Sequence, residues 1–226
     1  MESRNENYIF LHGLGQTAAS WDKAFSVLHI HDPICLDLFS MLKGQDMNYP
    51  NLFRQFEKTC NEYHGKVSIC GISLGAVLAL NYATEHLQKV QSLILIAPQF
   101  KMPKGMLSVQ NIVFHFMPEI KFLEMGISKK DAISLAKSML KLDFRAGLSR
   151  ITCPVMIVCG EKDKANRKAA ISMQNRVKNA ELYIIEKTGH EVNVKAPEEL
   201  ANLINKFWLP KDAEKPTDKR YKGRKN

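Results

Sequence analysis

Gly71-Ile72-Ser73-Leu74-Gly75 lies directly between an apolar run, 67–70, and a helix-like run, 76–83. A Gly-x-Ser-x-Gly string carries little information alone, but the order strand, pentapeptide, helix is the one that a nucleophile elbow requires. The turn at the serine leaves no room for a side chain two residues before or after it, which explains both glycines. The stretch therefore predicts a nucleophilic hydroxyl on Ser73, held above the sheet edge at a helix N-terminus that favours negative charge.

Two further candidate residues follow strand patterns downstream of this serine. A serine hydroxyl needs a base to take its proton, and the base needs an acid to hold its tautomer. The apolar run 154–159 is typical of a buried parallel strand and ends before Asp163, and a second strand pattern, 181–186, ends before His190. Because sites of open α/β sheets lie beyond the carboxyl ends of strands, we expect Asp163 and His190 to lie near Ser73.

A fourth strand pattern, 8–11, precedes the loop His12-Gly13-Leu14-Gly15-Gln16. Acyl transfer develops an oxyanion, which needs two preorganised backbone N–H donors. We expect these donors to be the amides of Leu74, directly after the nucleophile, and of Leu14, where the flanking glycines let the backbone approach the reacting oxygen. His12 is interpreted as a structural histidine that holds this loop, rather than as a second base.

These motifs together resemble the α/β-hydrolase fold superfamily, of the esterase, lysophospholipase and C–C hydrolase type, over about residues 7–208. The resemblance implies that Ser73 is the nucleophile, His190 the general base and acid, and Asp163 the orienting carboxylate. Two departures stand out. The segment 37–41 lacks the Pro and Gly residues that many relatives carry there, and only seven residues precede Tyr8, where relatives place two more strands.

The fold predicted from these patterns is an α/β-hydrolase fold with a trimmed parallel sheet of about six strands and helices on both faces. A single domain is expected over 1–209, with a short helical lid insertion at about 98–153, and a basic, disordered tail over 210–226. The six strands are expected at the following positions: 7–11, 33–37, 66–70, 91–97, 154–159 and 181–186.

The insertion carries an apolar stretch denser than a surface helix needs. One interpretation is a substrate chamber over Ser73, lined by Met106, Phe114, Met117 and Phe122; the other is that these side chains pack the insertion onto the domain. Pro118 is expected to end the first insertion helix near Phe116, and Ser128 to cap a second helix that runs to Leu142.

The net charge of +9 is unevenly distributed. The insertion holds nine basic and four acidic residues, the tail seven and three, and the remainder of the chain sixteen of each. The basic side chains of the insertion favour either an anionic substrate or an ordinary solvated helix face. The tail is read as a solubilising terminus, and a contact with RNA or an anionic membrane stays open; without an aromatic-rich module, we expect no nucleic-acid partner.

Composition narrows the remaining possibilities. Five cysteines without a Cys-x-x-Cys pair indicate reduced thiols and no metal site, and the chain contains no phosphate-binding glycine motif, so no cofactor is expected. No apolar run reaches eighteen residues, so no membrane span is expected. The first residues do not resemble a signal peptide, so a cytoplasmic protein is expected. A monomer or a homodimer is expected as the oligomeric state.

Three functions are compatible with these residues. The first is a serine hydrolase that cleaves a small to medium acyl ester or thioester through an acyl-enzyme on Ser73. The second is a C–C bond hydrolase, enol-lactonase or lyase that uses the same triad. The third is a non-catalytic ligand-binding member of the fold, which the intact Ser, Asp and His disfavour.

Overall fold

Parallel strand pairing organises the chain. A computed structural model describes residues 7–102, 105, 114 and 116–209. The predicted tail, 210–226, and the predicted pocket residue Met106 lie outside these residues.

The described strands form one sheet in the order β2-β1-β3-β4-β5-β6, and every neighbouring pair is parallel. The predicted α/β-hydrolase sheet is thus confirmed, with each strand within a residue or two of its expected position. The strands are β1 Asn7–Leu11, β2 Ile34–Leu36, β3 Val67–Ile72, β4 Val90–Ile96, β5 Val155–Gly160 and β6 Ala180–Ile185.

Helices cover both faces of the sheet. The described α-helices are α1 Asp22–Phe25, α2 Tyr49–Glu62, α3 Leu74–Glu85, α4 Glu119–Glu124, α5 Lys129–Ser138, α6 Lys164–Gln174, α7 Val192–Lys195 and α8 Pro197–Trp208. Short 3₁₀ turns lie at Ala18–Trp21, Ser40–Leu42 and Leu148–Arg150.

The two faces of the sheet bury two separate apolar clusters. Alternate residues of a strand point to opposite faces, so Ile9 and Leu11 lie in the cluster beneath α2, α3 and α6, whereas Tyr8 and Phe10 lie in the cluster beneath α1, α7 and α8. Burial on both faces explains why the central strands are continuously apolar rather than alternating. Trp21 is fully buried in the second cluster, against the Phe10 ring, as a core residue.

In the insertion, the predicted start of the second helix is confirmed and its predicted end is wrong. Ser128 caps α5 as predicted: its Oγ accepts a hydrogen bond from the Asp131 amide at 3.1 Å. The helix ends at Ser138, not at Leu142 as predicted. The chain leaves the helix there because the Leu142 carbonyl accepts a hydrogen bond from the Met102 amide at 3.1 Å, at an antiparallel bridge between residues 101 and 143.

Pro118 separates two helical pieces of the insertion. Phe116 is helical, Met117 is not, and Pro118 stands at the N-cap of α4, which confirms the expected helix end near Phe116. Within the described part of the chain, no helix is long and apolar enough to cross a membrane. All five cysteines are free thiols, as the prediction of reduced cysteines required.

Candidate active site

Ser73 lies at the turn between β3 and α3 in a backbone conformation that side chains rarely adopt, with φ 54° and ψ −110°. Its amide donates to the Ile96 carbonyl at 2.9 Å, which ties the turn to the end of β4. A Cβ on Gly71 would overlap the Gly75 carbonyl group, and a Cβ on Gly75 would lie 2.5 Å from the Leu11 carbonyl oxygen. Both glycines of the motif are therefore required by close backbone contacts around the serine.

The first loop of the chain lies against this turn. A Cβ on Gly13 would lie 3.4 Å from the Cβ of Ser73, so the backbone beside Leu14 passes directly over the serine. The Leu14 amide has no acceptor among the residues that the structure describes. The amide of Leu74, as the first residue of α3, has no partner within its own helix. Within the part of the chain that the structure describes, neither amide thus has a hydrogen-bond acceptor, and their role as oxyanion donors stays a prediction.

His12 has the structural role that the sequence predicted. The ring has no exposed surface; the Leu38 amide donates to Nε2 at 3.0 Å, so Nδ1 carries the proton and donates to the Gly13 carbonyl at 2.9 Å. Burial lowers the pKa of His12, and the Gly13 hydrogen bond and the nearby Asp37 carboxylate offset only part of this effect. A neutral histidine therefore joins the Leu14 loop to the segment after β2.

Asp163 and His190 are brought together by the two loops that follow β5 and β6. The Lys162 amide donates to the Thr188 carbonyl at 2.9 Å, which holds these loops side by side. His190 Nδ1 then lies 2.7 Å from Asp163 Oδ2. The Asp163 side chain is 9% exposed and that of His190 43% exposed, so the carboxylate is sheltered while the imidazole reaches solvent. Among the described residues, no hydrogen bond joins Ser73 Oγ to His190; such bonds are often long without substrate and tighten in the complex.

The Asp163 carboxylate is held in its ionised form. Burial alone would raise the pKa of Asp163, but hydrogen bonds from His190 and Asn166 outweigh this effect, and the pKa is lowered. An ionised carboxylate accepts the Nδ1 proton of His190, which leaves Nε2 as the basic nitrogen.

Sequence reasoning missed two residues around this site. Asn166 donates from Nδ2 to Asp163 Oδ1 at 2.9 Å and to Oδ2 at 2.8 Å. The sequence did contain a signal for Asn166. Asp163 stands at a helix N-cap position, and the side chain of an N-cap residue contacts the third residue of the helix, which here is Asn166. Met125 was also missed: its Sδ would lie 3.6 Å from a Cβ on Gly15, so this methionine of the insertion contacts the Leu14 loop.

Three of the four residues expected to line a substrate chamber, Phe114, Met117 and Phe122, pack against the core of the domain. Phe122 has no exposed surface, and its ring lies 5.3 Å from that of Phe114 at 89°. Phe114 and Met117 are partly buried against the cluster beneath α2, α3 and α6. Met106 lies outside the described residues. The described side chains thus pack the insertion onto the domain, and their contact with a substrate stays a prediction.

One group of side chains in the described part of the chain has metal-ligating geometry, namely Glu57, Glu85 and His86. His86 lies directly after the C-terminal end of α3 and Ser73 directly before its N-terminus, so about 18 Å of helix separates this group from Ser73. His86 Nε2 lies 2.7 Å from Glu57 Oε1, a hydrogen-bond contact between α2 and the residue that follows α3. This geometry gives no reason to assign the group to the chemistry at Ser73.

Comparison with known proteins places the chain in a family. The model of the alpha/beta hydrolase family matches residues 8–203, and the chain belongs to that family. The pimeloyl-[acyl-carrier protein] methyl ester esterase of Nitrosomonas europaea is 24% identical over 238 aligned positions, which cover 87% of this chain and 93% of that protein.

Solved structures share the fold at low sequence identity. MenH from S. aureus superposes with a TM-score of 0.75 at 17% identity, over 91% of this chain and 94% of that chain. The enol-lactonase from Burkholderia xenovorans superposes with a TM-score of 0.74 at 13% identity, over 92% and 93%. The predicted family and fold are confirmed, and the family and its relatives confirm the prediction of a hydrolase.

Proposed function

We propose that this chain is a serine hydrolase that cleaves a small to medium acyl ester or thioester through an acyl-enzyme on Ser73. The observation that carries the proposal is the 2.7 Å hydrogen bond between His190 and the sheltered, ionised carboxylate of Asp163. This hydrogen bond prepares His190 to act as a base. Both residues lie beyond the sheet edge at which the strained turn of Ser73 also lies. The N. europaea relative, named as a methyl ester esterase, supports an ester as the bond that is cleaved.

The proposed reaction proceeds in two stages. His190 Nε2 takes the proton of Ser73 Oγ as the hydroxyl attacks the substrate carbonyl, and the resulting oxyanion accepts hydrogen bonds from the Leu14 and Leu74 amides. His190 then gives the proton to the leaving alcohol or thiol, and the acyl group stays on Ser73. Water, deprotonated by His190, attacks the acyl-enzyme; the acyl–Oγ bond then breaks, His190 returns that proton to Ser73 Oγ, and the acid is released. Asp163 stabilises the imidazolium in both stages.

The first experiment is intact-mass labelling with a fluorophosphonate, which reacts only with an activated serine. We expect one adduct on the native protein, the same adduct on the exposed-site control Ser134→Ala, and none on Ser73→Ala. Labelling of folded Ser73→Ala would show that another residue reacts. Complete absence of label on folded native protein would contradict an activated serine and favour the ligand-binding function.

A second measurement identifies the acyl group. Hydrolysis rates of a series of p-nitrophenyl esters, with increasing acyl length, are compared with those of the corresponding methyl esters and thioesters. We expect the highest kcat/KM for a short or medium chain, and no turnover by Ser73→Ala with any of them. A labelled protein that cleaves none of these compounds would instead favour the C–C hydrolase, lactonase or lyase chemistry.

A further inference from the structure

Asn166 connects the Asp163–His190 pair to a residue on another strand end. It lies in the first turn of α6 and is 5% exposed. Its Oδ1 accepts a hydrogen bond from Gln99 Nε2 at 2.7 Å, and Gln99 belongs to the segment that follows β4. Its Nδ2 donates to both carboxylate oxygens of Asp163 and lies 3.2 Å from His190 Nδ1. The amide thus lies at the junction of carboxylate and imidazole.

The orientation of this amide follows from its neighbours. Rotating it by half a turn would place the carbonyl oxygen of Asn166 against the carboxylate of Asp163, which is repulsive, and would put two N–H groups face to face at Gln99. The observed arrangement instead places Nδ2 against the carboxylate and Oδ1 against the Gln99 amide. The carboxylate, which only accepts hydrogen bonds, therefore determines which end of Asn166 faces Asp163, and Gln99 holds the other end.

The charged and titratable groups around the carboxylate are few. His190 is the one ion-pair partner of Asp163 among the described residues. From β5, the buried Cys159 thiol lies 3.9 Å from the Asp163 carbonyl oxygen, and burial raises its pKa to about 12, so it is neutral. From α6, Arg167 donates to the Glu161 carbonyl at 3.1 Å. Asn166 is thus the main neutral donor to this carboxylate.

We propose that Asn166, held at its Oδ1 by Gln99, is a positioning residue that holds the Asp163 carboxylate toward His190 and sets the pH at which His190 takes up its proton. A donor on a carboxylate disperses part of its negative charge, so it weakens the attraction between that carboxylate and a protonated imidazole. Without Asn166 the carboxylate attracts the imidazolium more strongly and rotates more freely. The positioning role of Asn166 is argued from its contacts alone. The expected effect on turnover rests on the proposed function.

The test is an NMR titration of the His190 imidazole, assigned with a His190→Gln spectrum, combined with kcat and KM for an ester as functions of pH. Asn166→Leu keeps the volume and removes the donor, Asn166→Asp adds a charge, and Gln99→Leu keeps the donor but removes the hydrogen bond that holds Asn166 Oδ1. Asn175→Leu is the matched control, because Asn175 is exposed beyond the other end of α6.

For Asn166→Leu we expect the titration midpoint of His190 to rise by about 0.5–1 pH unit, since one hydrogen bond to the carboxylate is lost. We expect kcat to fall about 10- to 100-fold, a smaller loss than removal of a triad member, with KM little changed. Asn166→Asp should raise the midpoint further, Gln99→Leu should raise it less, and Asn175→Leu should leave it unchanged. A merely structural role would lower thermal stability without moving the midpoint.

An unchanged midpoint in folded Asn166→Leu overturns the proposal. If that variant fails to fold, the smaller Asn166→Ala decides, because an unchanged midpoint there shows that the amide does not act on the pair. The titration needs no substrate, so it separates the two proposals. A shifted midpoint in a protein that hydrolyses nothing supports the positioning role and contradicts the proposed function.

Discussion

Ser73 and Asp163 each have a local environment that departs from that of an ordinary loop residue. The serine has a positive φ without being glycine, a conformation that costs free energy and that surrounding hydrogen bonds must maintain. Asp163 is sheltered from solvent yet ionised. Such departures concentrate at functional sites, and here both residues lie beyond the carboxyl ends of strands of one sheet.

Replacing Asp163 with Asn tests the role of the carboxylate. The amide would no longer accept the Nδ1 proton, so His190 would be left in the wrong tautomer, and we expect kcat/KM to fall about 10⁴-fold while the fold persists. Ester hydrolysis and circular dichroism measure the two effects. Asp46→Asn, at an exposed position, is the control. Near-native activity of Asp163→Asn would exclude Asp163 as the orienting acid.

His12 should make stability depend on pH near neutrality. Its pKa is lowered in the folded protein, so below the unfolded value of 6.5 the unfolded chain binds a proton that the native protein does not. Stability is therefore fully present above that value and is lost as pH falls toward the folded pKa, with a slope of at most about 1.4 kcal/mol per pH unit.

Urea denaturation at pH 7 and at pH 5.5 measures this contribution. We expect His12→Gln, although less stable at neutral pH, to lose less of its unfolding free energy between the two conditions than the native protein does. His64→Gln, at an exposed position, should behave like the native protein. Equal losses in native and His12→Gln protein would show that His12 is not the group responsible.

Among the elements, α3 makes the closest approach to the sheet. Gly75 in its first turn lies so near β1 that an added Cβ would be 2.5 Å from the Leu11 carbonyl oxygen. This contact places the N-terminus of α3, and with it the Leu74 amide, against the strand that leads into the Leu14 loop. The second glycine of the motif thus serves packing between elements as well as the turn itself.

Gly75→Ala should therefore destabilise the protein despite the higher helix propensity of alanine. The methyl group forces α3 away from β1, and we expect a cost of about 1–3 kcal/mol in unfolding free energy, with activity lost in the fraction that folds. Chemical denaturation measures it. Gly105→Ala is the control, because no atom of the described residues lies within 4 Å of the Cβ position there. A Gly75→Ala protein as stable as the native one would contradict the close approach.

In the whole molecule, a buried amide pair joins the two ends of the described chain. Gln16 Nε2 donates to Asn193 Oδ1 at 3.1 Å, and Asn193 Nδ2 donates to Gln16 Oε1 at 3.2 Å. Gln16 Oε1 also accepts from the Gly13 amide at 3.2 Å. The Leu14 loop is thereby tied to α7, which begins directly after the His190 loop, so the proposed oxyanion donor Leu14 and the proposed base His190 lie beside one hydrogen-bonded unit.

A double-mutant cycle measures this connection. Gln16→Leu or Asn193→Leu leaves the other amide buried without its partner, and each should cost about 1–3 kcal/mol of unfolding free energy. The double variant should cost clearly less than the sum, because no unpaired amide of the pair remains. Gln16→Leu combined with Asn175→Leu, which shares no partner with it, should be additive. Additivity in both pairs would show that the two amides are not coupled.

The sequence alone determined the strand positions, the family and the three candidate residues. Buried parallel strands are continuous apolar runs, and the motifs Gly71–Gly75, Gly160–Asp163 and Gly189–His190 each follow one directly. Such local patterns report on backbone conformation and on strand ends, which suffices to place Ser73, Asp163 and His190 at one edge of the sheet.

Only the tertiary structure determined how that edge is supported. Asn166 and Gln99 lie 67 positions apart, and Gln16 and Asn193 lie 177 apart, so no local pattern marks either pair. The end of α5 at Ser138 likewise follows from pairing with residues near 101, which overrides the helical pattern that continues to Leu142. Hydrogen bonds between distant segments depend on where the whole fold places them, and propensity and periodicity contain no information about that placement.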